Sequence, residues 1–349
     1  MMDFVNTFLN FAAPPFTFIT LYFMLPPFQI IKFFMSIFSS IFPEDVSGKV
    51  VLITGASSGI GEYLAYEYAK RGACLVLSAR REGSLNEVAE LCIELGSPKT
   101  IVVPVDVAKV EDCRRIVDAT ITHFGRLDHL VNNAGIVGVG QFDELKDVTR
   151  MRPVMDINFW GSVYMTRFAI PYLKNTRGKI VALSSSASWM PVPRESFYNA
   201  SKAALLAFFE TLRVELGTDI KITIVTPGII ESEFTKGKVW TESGMKVDQD
   251  LRDVQVNLIP VGTVEGTAKS IVRSICRGDR YVTVPAWFKV TYFLEMLCPE
   301  VLEWSYRLMF LTSTDNTPTG AIGKHMVDFP GAKAMLYPPG IQSPDIKTR

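Results

Sequence analysis

Two clusters in this 349-residue chain combine residue types and spacings that support chemistry. Tyr198 and Lys202 stand four positions apart in YNASK, so on a helix they share one face, one turn from each other. A free phenol titrates near 10, so presenting phenolate at neutral pH requires a shift of about three units, or about 4 kcal/mol of differential stabilisation. A neighbouring ammonium in a partly desolvated cleft is suited to supply it. The second cluster is TGASSGIG, Thr54–Gly61, directly after a β-branched run and ahead of an amphipathic helix expected over about Glu62 to Arg71. Gly55 permits the tight turn, Gly59 lets the backbone approach a pyrophosphate, and Gly61 lets the helix pack closely. The amides and partial positive charge at the helix start favour phosphate.

The elements that must position these groups follow from hydrophobic patterning. From Lys49 onward, short apolar runs alternate with helix-length segments of mixed polarity: Val50–Ile53, Cys74–Leu77, Ile101–Val103, Leu127–Val131, Lys179–Leu183, Lys221–Val225 and, as a seventh strand, Tyr281–Val284. Near-continuous apolar strands are what a parallel sheet buried on both faces requires. The expected fold is therefore α/β, a Rossmann-type doubly wound parallel sheet over residues 44–285. The second strand ends at Arg80 and Arg81, where an NAD-selective pocket would carry an acid. Arg80 is suited to pair with a 2′-phosphate, which favours NADP over NAD. The alternative is that Arg80 and Arg81 are a solvated strand end, since Ser58 brings no second positive charge to the loop.

Five motifs recur in order over about 180 residues, and with them the chain resembles the short-chain dehydrogenase/reductase family: TGASSGIG, Asp106 after the third strand, NNAG at Asn132–Gly135, Ser185 with YNASK, and Pro227-Gly228. The resemblance implies Ser185, Tyr198 and Lys202 as catalytic residues, with Asn158 holding a proton-relay water to the lysine. Ser185 would bind the substrate oxygen, although Ser184 and Ser186 compete for that assignment. Tyr198 would serve as base in alcohol oxidation and acid in carbonyl reduction, with Lys202 also holding the nicotinamide ribose. The implied cofactor contacts are Thr54, Gly55, Ser57, Ser58, Gly59, Ile60, Gly61, Arg80, Asp106, Val107, Asn132, Ala134, Gly135, Tyr198, Lys202, Pro227, Gly228, Ile230 and Ser232. Serine stands at 232 where the family often has threonine.

Composition adds an anchor. The 36 basic and 36 acidic residues cancel, so no net field points to a nucleic acid. Five cysteines without CxxC or Cys/His clustering argue against disulfide frameworks and metal sites and read as reduced, buried thiols. Residues Phe4 to Ile31 carry no charge, and eleven of the 23 phenylalanines lie between Phe4 and Phe42. Residues 1–43 are therefore expected to form a hydrophobic membrane or lipid-droplet anchor. The pairs Pro14-Pro15 and Pro26-Pro27 argue for breaks and a hairpin in a lipid monolayer, while a kinked, spanning signal anchor in the endoplasmic reticulum is the alternative.

Residues 233–263 are expected to cover the substrate, with Met245, Leu251, Val254, Val256, Leu258 and Ile259 as an apolar lid. Residues 286–349 read as aromatic helices, broken at Pro299 and able to rest on a membrane, followed from Thr312 by an extended tail. An apolar anchor ahead of such a core is similar to the steroleosins, hydroxysteroid dehydrogenases of seed oil bodies, and the core to 11-beta-hydroxysteroid dehydrogenases. That likeness implies a steroid or sterol alcohol or ketone as substrate, a lipid-droplet address, and homodimers through helices near Asp156–Leu173 and Ser196–Leu216. Retinoid or long-chain acyl substrates, or a sterol-binding structural protein with little turnover, remain the alternatives.

Overall fold

Helix α1 (Met2–Ile41) runs without interruption through both proline pairs and buries none of its side chains. This computed structural model describes residues 2–312 and 320–342, and it divides the chain into two units, Met1–Glu44 and Asp45–Arg349. The expected breaks, and with them the hairpin, are absent. Pro14, Pro15, Pro26 and Pro27 remove four amides, those that would serve the carbonyls of Asn10, Phe11, Tyr22 and Phe23, yet most of the ladder over forty residues survives. At about 1.5 Å per residue the helix is about 60 Å long, well beyond a hydrocarbon core of about 30 Å. It is long and apolar enough to cross a membrane.

In the second unit, the apolar runs become β1 (Val50–Thr54), β2 (Cys74–Ser78), β3 (Thr100–Val102), β4 (His129–Asn132), β5 (Lys179–Leu183) and β6 (Lys221–Pro227). A short antiparallel hairpin of β7 (Lys238–Thr241) and β8 (Gly244–Val247) precedes the last strand, β9 (Tyr281–Val284). The large sheet is parallel throughout, in the order β3-β2-β1-β4-β5-β6-β9. Its order reverses between β1 and β4, the crevice where open α/β sheets bind ligands.

Alternation along β1 sends Val51 and Ile53 to one face and Val50 and Leu52 to the other. The first face packs on α2 (Gly59–Ala69) and α3 (Glu82–Glu94) through Leu64, Tyr68, Leu85 and Val88. The second face meets α4 (Val110–Phe124) through Ile116 and Val117. The next helical run comprises α5 (Arg152–Met155), a π-turn at Asp156–Trp160, and α6 (Gly161–Thr176), followed after β5 by α7 (Ser196–Leu216). Met165, Leu173, Leu205 and Phe209 bring α6 and α7 onto that second face. Full burial of each such side chain contributes about 1.5–3 kcal/mol.

The segment expected as a lid is the β7–β8 hairpin followed by α8 (Gln249–Val256), after which α9 (Val264–Arg277) completes the first face. Val254 and Val256 are fully buried in the protein's interior, whereas Met245 and Ile259 line a cavity. The aromatic stretch forms α10 (Lys289–Leu297) and α11 (Pro299–Tyr306), parted at Pro299 as its ring requires. Phe288, Leu302, Tyr306 and Phe310 close on Met190 as a satellite core, while Trp287, Tyr292, Phe293 and Trp304 remain exposed.

The tail is not extended where it is described. It forms α12 (Ile322–Val327), α13 (Ala332–Leu336) and α14 (Pro339–Gln342), and Val327, Tyr337 and Ile341 pack on Val256 and Val261. Arg252 donates to the Ile341 carbonyl at 2.9 Å, and Lys333 pairs with Asp253 at 2.8 Å, contacts that periodicity alone does not register. Residues 313–319 and 343–349 of the expected tail lie outside the described residues. Of the cysteines, Cys92, Cys113 and Cys276 are buried, but Cys298 is exposed and Cys74 partly so.

Candidate active site

A cavity of about 580 Å³ opens at the C-terminal ends of β1, β4, β5 and β6 and continues between the β7–β8 hairpin and the α10–α11 region. One end is the glycine-rich loop. Gly55 has φ of +66°, and a Cβ there would lie 2.8 Å from the Ala134 Cα, so only glycine fits. Gly59 also has a positive φ, and a Cβ on it would be 3.6 Å from the Ser232 Cβ, leaving a narrow cleft between loop and post-β6 segment. The cleft faces the start of α2, where free amides favour phosphate.

Arg80 lies on the rim of this cleft. Arg81 reaches over the loop, donating to Ser58 Oγ at 3.0 Å and Ser57 Oγ at 3.2 Å, and pairs with Glu233 at 2.5 Å. The sequence reading placed no second cation beside the loop; the fold folds Arg81 back to provide it. Glu233 also pairs with Lys238 at 2.8 Å. Asp106 and Val107 line the same cleft, with Asp106 Oδ1 accepting from the Ala108 amide at 3.1 Å.

Not every expected cofactor residue faces the cavity. Ser57, Ser58, Ile60, Ala134, Gly135, Pro227, Gly228, Ile230 and Ser232 line it. Thr54, Gly61, Asn132 and Asn158 stand behind its wall. Thr54 Oγ1 accepts from the amides of Asn133 and Ala134 at 3.0 and 3.1 Å, tying β1 to the NNAG turn. Asn133, which the sequence reading passed over, donates to the Thr54 and Gly55 carbonyls at 2.9 and 3.1 Å. Any side chain at Gly61 would collide with Asn133 and the Gly55 carbonyl. Asn132 points the other way, donating to Thr166 Oγ1 on α6 at 3.0 Å. Strand alternation sends one of the two asparagines to each side, and sequence alone does not say which.

Tyr198 and Lys202 line the cavity together, with Lys202 Nζ 5.7 Å from the phenol ring centroid. Lys202 Nζ donates to the Leu183 carbonyl at 2.9 Å, and burial pushes its amine down to about 8. Burial raises the Tyr198 phenol, an effect the Ser185 hydroxyl partly opposes. Without further positive charge, then, the phenol is held protonated. Geometry separates two of the three serines: Ser184 Oγ donates to the Lys202 carbonyl at 2.8 Å, whereas Ser185 faces Tyr198 and accepts from the Ala187 amide at 3.2 Å; Ser186 lines the same cavity.

Asn158 sits in the π-turn, a widened turn common at functional sites. Its Oδ1 accepts from the Ile136 amide at 2.8 Å, and its Nδ2 donates to the Ile136 carbonyl and Ser201 Oγ, both at 2.9 Å. These bonds clamp the strand end beside Gly135, near Lys202, and use both amide protons of its side chain, leaving one lone pair of Oδ1 as the side-chain capacity for the expected relay water.

The other end of the cavity is apolar, lined by Met190, Val192, Ile259, Phe288, Tyr306 and Phe310. Asn199 holds this wall by donating to the carbonyls of Met190 and Val192 at 3.2 Å each. Glu195 and Gln255 interrupt it, and neither was singled out from sequence, since nothing in its pattern marks a lone acid as pocket-facing.

Comparison with known proteins agrees with this geometry. The short chain dehydrogenase family pattern matches residues 49–243. An 11-beta-hydroxysteroid dehydrogenase A of Sesamum indicum is 63% identical over 346 residues, covering 99% of each chain. An 11-beta-hydroxysteroid dehydrogenase 1A of Arabidopsis thaliana is 60% identical, covering 99% of this chain and all of that one. Among solved structures, an alcohol dehydrogenase of the archaeon Thermococcus sibiricus, complexed with 5-hydroxy-NADP, superposes with a TM-score of 0.57 at 25% identity, covering 68% of this chain and 95% of that one. The parallel sheet, the glycine loop at its switch point and the Ser185, Tyr198 and Lys202 cluster thus have a common origin: the chain belongs to the short-chain dehydrogenase/reductase family.

Proposed function

We propose that this protein is an NADP-dependent oxidoreductase that interconverts hydroxyl and keto groups on a steroid or sterol at a lipid surface. The observation that carries the reading is the convergence of Ser185, Tyr198 and Lys202 where the glycine-loop cleft meets the apolar half of one cavity. A dinucleotide fits the residues present, because Gly55 has no room for a Cβ beside Ala134 and Gly59 takes a left-handed φ, which leaves the loop backbone bare where α2 begins. Arg80 and Arg81 would hold a 2′-phosphate, which supports NADP, as does the nucleotide named with the archaeal relative. The names of the plant relatives and the apolar wall support a steroid substrate.

When bound, the dinucleotide supplies the hydride acceptor for oxidation and the donor for reduction. Ser185 and Tyr198 orient the substrate oxygen between them. In oxidation, the hydroxyl proton passes to the Tyr198 oxygen as the carbon gives up hydride; in reduction, the Tyr198 phenol returns a proton to the carbonyl oxygen. Burial keeps that phenol protonated, which suits it as the acid in reduction. Lys202, a turn away, is the cation that makes the reverse transfer accessible.

Helix α1 is read as the tether that holds the enzyme at a lipid droplet, where an insoluble substrate partitions; an endoplasmic reticulum membrane would serve the same physical end. Assay of the full-length protein in detergent against steroid alcohols and ketones, with NADP(H) and NAD(H) in parallel, tests the proposal. Turnover with NADP(H) preferred is expected. Turnover confined to NAD(H) would reverse the reading of Arg80 and Arg81, and absence of turnover on every steroid would remove the substrate class.

A further inference from the structure

Glu195 is the residue on the cavity wall that the chemistry above does not use. It is 5% exposed and lies at the junction of the Met190–Arg194 loop with α7. As the residue before the helix it is placed to cap α7, yet its side chain makes no cap bond. No hydrogen bond or ion pair engages its carboxyl among the described residues. The adjacent cation does not neutralise it, because the Arg194 guanidinium donates to the Phe310 carbonyl at 3.0 Å.

The backbone is arranged to hold this orientation. Arg194 adopts a left-handed φ of +64°, unusual for a residue with a side chain, and its carbonyl accepts from the Gly140 amide at 2.8 Å. Gln255 on α8 donates to the Pro193 carbonyl at 3.3 Å, next to the same corner, and its Oε1 is buried without a hydrogen-bond partner. Two unanswered polar groups therefore share a wall that also carries Met190, Val192, Phe288, Tyr306 and Phe310. Native proteins leave few buried polar atoms unpaired, and those that occur ask for a partner.

We infer that Glu195, with Gln255 on the same cavity wall, forms a polar subsite that binds a second oxygen function of the substrate, a hydroxyl or ketone remote from the carbon that reacts. The inference rests on the steroid reading above and narrows it to substrates carrying two oxygen functions on a rigid apolar frame. Tyr198 and Tyr306 are the titratable groups that feel the Glu195 charge, and no cation is near enough to offset it. Burial pushes the acid up to about 8, so at neutral pH it retains its proton and can donate to a carbonyl or hydroxyl oxygen. The Gln255 oxygen, an acceptor only, suits a hydroxyl proton.

The test compares turnover of three pairs of steroid ketones, 3β-hydroxyandrostan-17-one with androstan-17-one, 11β-hydroxyandrostan-17-one with androstan-17-one, and 17β-hydroxyandrostan-3-one with androstan-3-one, by wild type, Glu195→Gln, Glu195→Leu and Gln255→Leu. The readout is the ratio of kcat/KM within each pair, which cancels any shared effect on chemistry or folding. In at least one pair the wild type should favour the hydroxylated member by about 10-fold or more. Glu195→Leu should reduce that ratio to near one, Glu195→Gln should retain most of it, and Gln255→Leu should fall between. An undiminished ratio in Glu195→Leu, or no preference in any pair by the wild type, overturns the subsite alone. No turnover of any member overturns the steroid reading and the subsite with it.

Discussion

Replacing Glu195 by glutamine should change how stability depends on pH, in a direction fixed by its surroundings. Burial raises this acid from 4.5 to about 8 in the folded protein. A group whose folded value is raised contributes stability that is fully present below the unfolded value and is lost as pH rises through the folded one. For the wild type the loss therefore spans about pH 4.5 to 8. Between pH 5 and 8.5 it amounts to about 4 kcal/mol at about 1.36 kcal/mol per unit. Glutamine fills nearly the same volume and does not titrate, so Glu195→Gln lacks this loss. With an unfolding entropy of roughly 2.1 cal/mol/K per residue over about 300 residues, the wild type should lose about 6 °C in Tm relative to the variant across that interval. Differential scanning fluorimetry of both full-length proteins in detergent, at half-unit pH steps, reads this difference directly. Parallel curves would refute the reasoning, because they would mean that water or a counter-charge keeps the carboxylate ionised when folded.

Other expectations follow from the same geometry. Lys202 has the opposite sign: burial lowers its amine to about 8, so Lys202→Met should remove a rise in stability that the wild type shows between about pH 8 and 10.4, measured by the same thermal scans. Arg81→Met should weaken NADPH binding by about 10-fold or more while changing NADH binding much less, in a fluorescence titration; equal losses for both would show that Arg81 serves the loop and not a 2′-phosphate. Gly61→Ala should displace Asn133 and the loop carbonyl, lowering stability by about 1–3 kcal/mol and dinucleotide affinity with it, by thermal shift and titration. Deleting residues 2–41 should move the protein from the membrane to the soluble fraction on flotation; persistent membrane association would direct attention to the exposed Trp287, Phe293 and Trp304.

The sheet was legible because its strands are buried on both faces, so their apolar runs stand out against the mixed helices, and the glycine loop announces its own turn. Tyr198, Ser185 and Lys202 were legible as a motif. Their electrostatic balance was not, because the burial that raises the phenol arises only when the chain folds around a cavity to which residues as distant as Tyr306 and Phe310 contribute. The partners of Arg81, Ser57, Ser58 and Glu233, were not legible because they are brought to it only by folding; Glu233 is 152 positions away. The tail escaped for a similar reason. Its short helices carry too few apolar residues to show a period and are fixed by Arg252, Asp253 and Asn257 of the α8 region. At α1 local rules misled in the other direction, since proline pairs that signal a break were absorbed by a long helix.

The most direct test of the central claim is a single-turnover measurement of NADPH oxidation by a steroid ketone, comparing wild type with Tyr198→Phe after confirming equal NADPH binding. The account predicts that loss of the phenolic oxygen slows hydride transfer by about 100-fold or more, since Tyr198, facing Ser185 in the cavity, is the group assigned to give the proton to the substrate oxygen. Equal rates in the two proteins would contradict it, whatever the cofactor and substrate turned out to be.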